Sequence, residues 1–402
     1  MEMILEFLRD VLSQPALLIG IMSCVGLIAL KRPFHKIMTG TLKPILGYLM
    51  LAAGAGVIVS NLDPLGKMIE HGFHITGVVP NNEAIVAVAQ KVLGVETMSI
   101  LVVGLLMNLL IARFTKFKYV FLTGHHSLFM ACLMSAVLGT AGLSGIELIL
   151  VGGFLMGAWS AISPAIGQSY TSKVTDGDEI ALGHFGSLGY YLSAWVAKYV
   201  GKAEESTEDI EIPEKWGFLR DSTLSTALTM IVFYLIAAIA AGSEFVATLS
   251  GSMSPYLFAV MSAMNFAVGV AIVYSGVRMI LGDLIPAFQG IATKIIPNAI
   301  PAVDCAVFFT YAPTAVVLGF ISSFIGGIIG MLILGAVGGV LIIPGLVPHF
   351  FCGATAGIYG NATGGRRGAA VGAFLNGLAI TFLPALALPV LGQLGFQNTT
   401  FG

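Results

Sequence analysis

Two carboxylates stand where an apolar chain least tolerates them. Asp304 interrupts IIPNAIPAVDCAVFFTYAP at 295–313, and Glu83 follows VVPNN at 78–82. Each lies three residues after a proline and opens a long apolar run. A charge at the centre of a bilayer costs roughly 2.5–3.5 kcal/mol on insertion scales, so one kept there faces a partner, a cavity or a substrate. Asp304 has two chemistries open to it: accepting the hydroxyls of a polar solute, or accepting free backbone N–H groups as a helix cap. Glu83 is open in the same way, between a binding role and an exposed rim. His125 and His126 follow LTG, and His184 lies in ALGHFG; an imidazole there can give or take a hydrogen bond to a substrate hydroxyl, or cap a helix. His35, His71, His74 and His349 read as loop or interface residues.

Other chemistries lack their motifs. There is no GxxxxGK[ST], no HExxH and no GxSxG, so the sequence supplies neither an ATP-driven engine nor an intramembrane hydrolase. Cys24, Cys132, Cys305 and Cys352 are scattered through apolar segments without CxxC spacing, which argues against a disulfide framework or a zinc site and for small packing residues. No metal or cofactor is implied.

The elements that must hold these side chains are membrane helices. With 57% hydrophobic and 10% charged residues, and 50 glycines in 402, the chain has too little polar surface to cover a water-soluble globule. Apolar segments fall at about 15–30, 44–61, 85–111, 121–141, 146–167, 223–242, 256–281, 302–334, 340–362 and 368–391. If each crosses once and the Lys31–Lys36 loop is cytoplasmic, fifteen of the nineteen basic residues fall inside, which sets the N-terminus outside, in the periplasm. Glu2, Glu6, Arg9 and Asp10 are the wrong pattern for a cleaved signal peptide. Residues 168–222 form one long polar loop, a solvated face or a docking surface, and the stretch around His184 reads as a re-entrant element.

The chain also repeats itself. An offset of 222 sets Gly47 on Gly269, Gly54 on Gly276, Leu62 on Leu284 and Pro64 on Pro286. An offset of 221 sets Pro80 on Pro301 and Glu83 on Asp304. Each unit spans five crossings, an odd number, so the second is inverted relative to the first, at 1–222 and 223–402. Inverted repeats characterise secondary-transporter folds, where substrate sits near the midplane between the halves. The expected fold is therefore an all-α polytopic membrane protein of about ten to eleven transmembrane helices, in two inverted repeats with re-entrant hairpins.

At LTGHHS, TDGDEIALGHFG and AVDCAVFFTYAPTAVVLGF the chain resembles the membrane subunit IIC of the bacterial phosphoenolpyruvate-dependent sugar phosphotransferase system, ascorbate type. The likeness extends through GTLKPILGYLMLAAGAGV, KAEESTEDIEIP and LIIPGLVPHFF. It implies an inner-membrane homodimer with a V-motif domain, roughly 1–75 and 223–290, and a mobile core, roughly 76–210 and 291–402, working as an elevator. It implies transport of L-ascorbate or a related sugar acid or polyol, phosphorylated by a soluble IIB subunit that IIA recharges; the phosphoryl carriers lie on those partners, and nucleic acid has no part. By position, His125, His184 and Asp304 match the family's substrate residues, and Asn82, Glu83 and Ala84 its loop before the third segment. Phe129 and Phe185 stand where the resemblance leads one to expect amides, and Glu83 where it leads one to expect a tyrosine-like residue. The family pattern also implies that the second unit is C-terminally incomplete at Gly402. The competing reading is a proton- or sodium-coupled carrier in which Glu83 and Asp304 move the ion.

Overall fold

The computed structural model describes residues 10–11, 14–74, 78, 80, 82–177, 179–210 and 222–392. The first half runs α1 (Pro15–Ala29), α2 (Phe34–Gly72), α3 (Asn82–Phe114), β1 (Tyr119–Phe121), α4 (Gly124–Thr140), α5 (Gly145–Thr175), β2 (Ala181–Leu182) and α6 (Ser187–Val200). The second runs α7 (Ser222–Ala241), α8 (Ser243–Ser250), α9 (Pro255–Lys294), β3 (Ile300–Val303), a 3-10 turn (Cys305–Thr310), α10 (Pro313–Ala336) and α11 (Leu346–Gly392). All ten apolar segments fall largely on helix. Six helices among the described residues are long and apolar enough to cross a membrane, or seven if the bent pair Thr226–Ala241 and Ser243–Ser250 counts as one. This is a polytopic helical membrane protein.

The longest helices, α2 with 39 residues and α9 with 40, are each roughly 60 Å long, twice a bilayer's hydrocarbon thickness. They pack on each other along glycines. A Cβ on Gly47 would lie 2.9 Å from the Gly276 carbonyl oxygen, and one on Gly276 2.6 Å from that of Gly47. Gly54 and Gly269 face each other in the same way, at 2.8 and 2.9 Å. Lipid tails are as apolar as leucine, so close backbone approach through small residues is what makes such a contact favourable. Helices α1 and α7 pack against this pair, while α3, α4 and α5 pack together, as do α10, α11 and α6.

The all-α class holds, with one short sheet set among the helices. The segment at 302–334 opens not as helix but as β3 and a 3-10 turn, and that at 121–141 opens in β1. The three strands form one parallel sheet in the order β1-β3-β2, with Phe121 and Ala181 both opposite Ala302. Sheet edges inside a membrane protein must find partners within the protein. Asn108 of α3 supplies them for β1, donating from Nδ2 to the Tyr119 carbonyl at 3.1 Å and accepting the Phe121 amide at 3.0 Å. Gln168 of α5 donates from Nε2 to the Ile180 carbonyl, just before β2, at 3.2 Å. A separate parallel bridge joins Val78 to Ile342.

Helix α11 is two helices in sequence, broken at Gly364 and Gly365, the latter at φ 59°. A side chain at Gly365 would strike the carbonyl oxygens of Lys202 and Glu205, so the polar loop after α6 lies in this break. The Glu205 carbonyl accepts the Arg366 amide at 2.8 Å. Three residues on, the Glu208 carboxylate accepts the amides of Thr314 and Ala315, both at 3.1 Å, and so caps α10.

Candidate functional site

The parallel sheet decides which side chains meet. Parallel strands end on the same side, so the residues that follow β1, β2 and β3 are brought to one place. After β1, the Leu122 amide still bonds the Ala302 carbonyl at 2.9 Å, then Thr123 leads into α4 with His125 and His126 in its first turn. After β2, the Gly183 amide bonds the Val303 carbonyl at 2.7 Å, and His184 follows. After β3 comes Asp304. Residues separated by roughly sixty and one hundred and twenty positions in the chain thus become neighbours through ladder register alone.

Asp304 is 8% exposed, and its Oδ1 accepts the Ala306 amide at 3.0 Å. The cap role is therefore real, and it holds the carboxyl group at the strand end. The same carboxylate lies within electrostatic reach of the Tyr48 phenol on α2 and the Tyr190 phenol on α6, both buried.

His184 is 6% exposed. Its Nδ1 lies 3.0 Å from the Gly186 amide nitrogen and 3.0 Å from the Tyr190 hydroxyl. Its ring centroid is 4.0 Å from that of His126, tilted by 58°. His126 in turn meets Phe129 edge-on at 5.8 Å. Phe185, half-buried, turns to the apolar cluster of Ile100, Leu101, Met130 and Met156. Two imidazoles and a carboxylate backed by phenols and phenyl rings make a site that can hydrogen-bond a small polyhydroxyl solute and stack on its flat face. Helices α4 and α6 begin beside it, and their N-terminal partial charges favour an anion.

Asn82, Glu83 and Ala84 open α3 and His125 opens α4, but the side chains of all four lie outside the described residues. The ladder brings His184 and Asp304 to one place. His126, the histidine given less weight, is the one seen against His184. His349 differs from its reading as a loop or interface residue. It is 2% exposed within α11, and its Nδ1 is 2.9 Å from the Ser323 hydroxyl of α10, because the helix phase turns it inward. Tyr190, Tyr48, Asn108 and Gln168 were not singled out at all. A polar group at membrane depth was the available signal, and in Asn108, set in LLMNLLIA, it was legible.

Residues 10–402 match the profile of the PTS system sugar-specific permease component, EIIC-GAT. The chain belongs to this family. It is similar to the ascorbate-specific PTS system EIIC component of Mycoplasma pneumoniae, 26% identical over 417 residues that cover 89% of this chain and 62% of the relative. The chain thus spans less than two thirds of that relative's length.

Proposed function

We propose that the protein carries L-ascorbate, or a related sugar acid or polyol, across the bacterial inner membrane as the IIC subunit of a phosphotransferase system. The observation that carries this reading is the convergence of His126, His184 and Asp304 at the ends of one parallel sheet, in a chain of the permease family. Among the residues on which the resemblance to ascorbate carriers rests, Asp304 and His184 serve as substrate contacts, with Glu83 and His125 completing the site from α3 and α4. A soluble IIB phosphocysteine, recharged by IIA, supplies the phosphoryl group: its S–P bond breaks as the substrate's O–P bond forms. In this reading Asp304 accepts the hydroxyl proton, and positioning of the acceptor supplies the remainder of catalysis.

The inverted repeat belongs to this proposal. Under the relation that sets Gly47 on Gly269 and Gly54 on Gly276, the observed pairs Gly47–Gly276 and Gly54–Gly269 exchange with one another, as a twofold axis between α2 and α9 requires. The bridge at Val78 and Ile342 joins the segments that the relation pairs with β3 and β1. We divide the chain into a V-motif domain of α1, α2 and α7 to α9 and a core of α3 to α6, α10 and α11, a reading that the packing of α1 and α7 on the α2–α9 pair supports. In this reading the molecule is a homodimer, its N-terminus is periplasmic, and the core moves as an elevator.

The test is uptake of labelled L-ascorbate into membrane vesicles, with and without purified phosphorylated IIB inside. Accumulation as the phosphate, only with IIB, is expected. Uptake of unmodified ascorbate driven by a proton or sodium gradient would replace this reading with the ion-coupled carrier.

A further inference from the structure

The frame around His184 leaves its ring one way to carry a hydrogen. The Gly186 amide donates to Nδ1 at 3.0 Å, inside the turn that joins β2 to α6. A backbone N–H can only donate, so Nδ1 must present its lone pair. The ring hydrogen then sits on Nε2, and a second proton on Nδ1 would displace the amide. Tyr190, fully buried one turn into α6, brings its hydroxyl to 3.0 Å from Nδ1 and 3.4 Å from Nε2. From that place it hinders rotation of the imidazole. The Cys352 thiol of α11 lies against the same hydroxyl, and Cys305 and Asp304 are within its electrostatic reach. From α4, the ring of His126 covers His184 at 4.0 Å.

We propose that Gly186 and Tyr190 form a tautomer clamp, with Tyr190 a positioning residue that holds His184 as a neutral Nε2–H donor to a substrate oxygen. The inference rests on the reading of His184 as a substrate contact and adds what that contact is: a donor of fixed direction that takes up no proton. It divides the work of the site. Asp304 receives the proton lost by the substrate hydroxyl, and His184 orients and binds.

The tautomer is read directly by ¹⁵N NMR of the full chain, labelled at histidine and held in lipid nanodiscs. The His184 signals are identified by their loss in His184→Gln. The wild type is expected to show a protonated Nε2 and a bare Nδ1, unchanged through the pH range in which free imidazole titrates. Tyr190→Phe is expected to release the ring into mixed tautomers or a titrating one. It should also raise the KM for substrate by about tenfold with turnover at saturation kept, the loss of one buried hydrogen bond. A wild-type ring protonated at Nδ1 or titrating overturns the clamp even if Tyr190→Phe does not fold, and a Tyr190→Phe ring as fixed as the wild type's removes Tyr190 from it. If the clamp is present while His184→Gln binds substrate normally, the binding role of His184 fails instead.

Discussion

Asp304 does two jobs with one side chain, and they separate by substitution. Asn at 304 retains an oxygen to accept the Ala306 amide, so Asp304→Asn should melt within about 1 kcal/mol of the wild type. It should nevertheless lose IIB-dependent uptake by about 10-fold to 100-fold, because it lacks the charge that binds hydroxyls strongly and accepts the proton. Asp304→Ala removes the cap as well and should cost about 1 kcal/mol more in thermal stability. A parallel loss of stability and transport in both variants would reduce Asp304 to a structural residue. Much of this was legible in the chain. A carboxylate after a proline and before an apolar run is costly enough to need a reason, and the sequence admits only cap and ligand. That His126 lies against His184 was not legible, since only packing sets the rotation of a helix about its axis. His349 was misread for the same reason.

The elements tell a different story about legibility. The ten apolar segments were readable because lipid demands long unbroken runs. The three strands were not, because β1, β2 and β3 are 3, 2 and 4 residues long and lie inside runs apolar enough to be helix. Period-two alternation cannot be seen over so few positions when both faces are buried. What makes them strands is the tertiary supply of edge partners, which predicts how they fail. Asn108→Ala removes two hydrogen bonds to β1 and should cost roughly 1–3 kcal/mol, and Gln168→Ala, with one bond to the Ile180 carbonyl, should cost about 1 kcal/mol. Thermal denaturation in detergent measures both, and raised KM in the folded protein would report the displaced strand ends. The glycine seam between α2 and α9 makes the opposite kind of prediction. A side chain at Gly54 or Gly276 meets backbone rather than a movable side chain, so Gly54→Leu or Gly276→Val should prevent a monodisperse folded product, assayed by size-exclusion chromatography of the expressed protein.

At the scale of the whole molecule, charge bears on sidedness and on the division of labour. The basic residues gather on alternate loops, and on the orientation we propose Arg367, exposed at the break in α11, lies inside and Lys67, near the end of α2, outside. In a background without the four native cysteines, a membrane-impermeant thiol reagent added to intact cells should label Lys67→Cys and spare Arg367→Cys. The reverse pattern would invert the molecule and put the loop that caps α10 on the wrong side for a soluble phosphoryl donor. That loop is anchored at two points, through Glu205 at the α11 break and through Glu208 at α10, so it is tied to these two helices. At this scale the proposed repeat was suggested by the sequence, in glycines and prolines that keep one order at one offset. The crossed pairing of Gly47 with Gly276 and Gly54 with Gly269 was not, since alignment relates equivalent positions and says nothing about which of them touch.

The central claim is that the ends of β1, β2 and β3 build a single substrate site, and equilibrium binding of labelled L-ascorbate to purified protein tests it most directly. Wild type should bind, and Asp304→Asn and His184→Gln should each weaken binding by about tenfold or more. A Ser323→Ala variant, which alters the buried His349 contact away from the strand ends, should bind as the wild type does. Unchanged binding in both Asp304→Asn and His184→Gln, with the folded state intact, would contradict it.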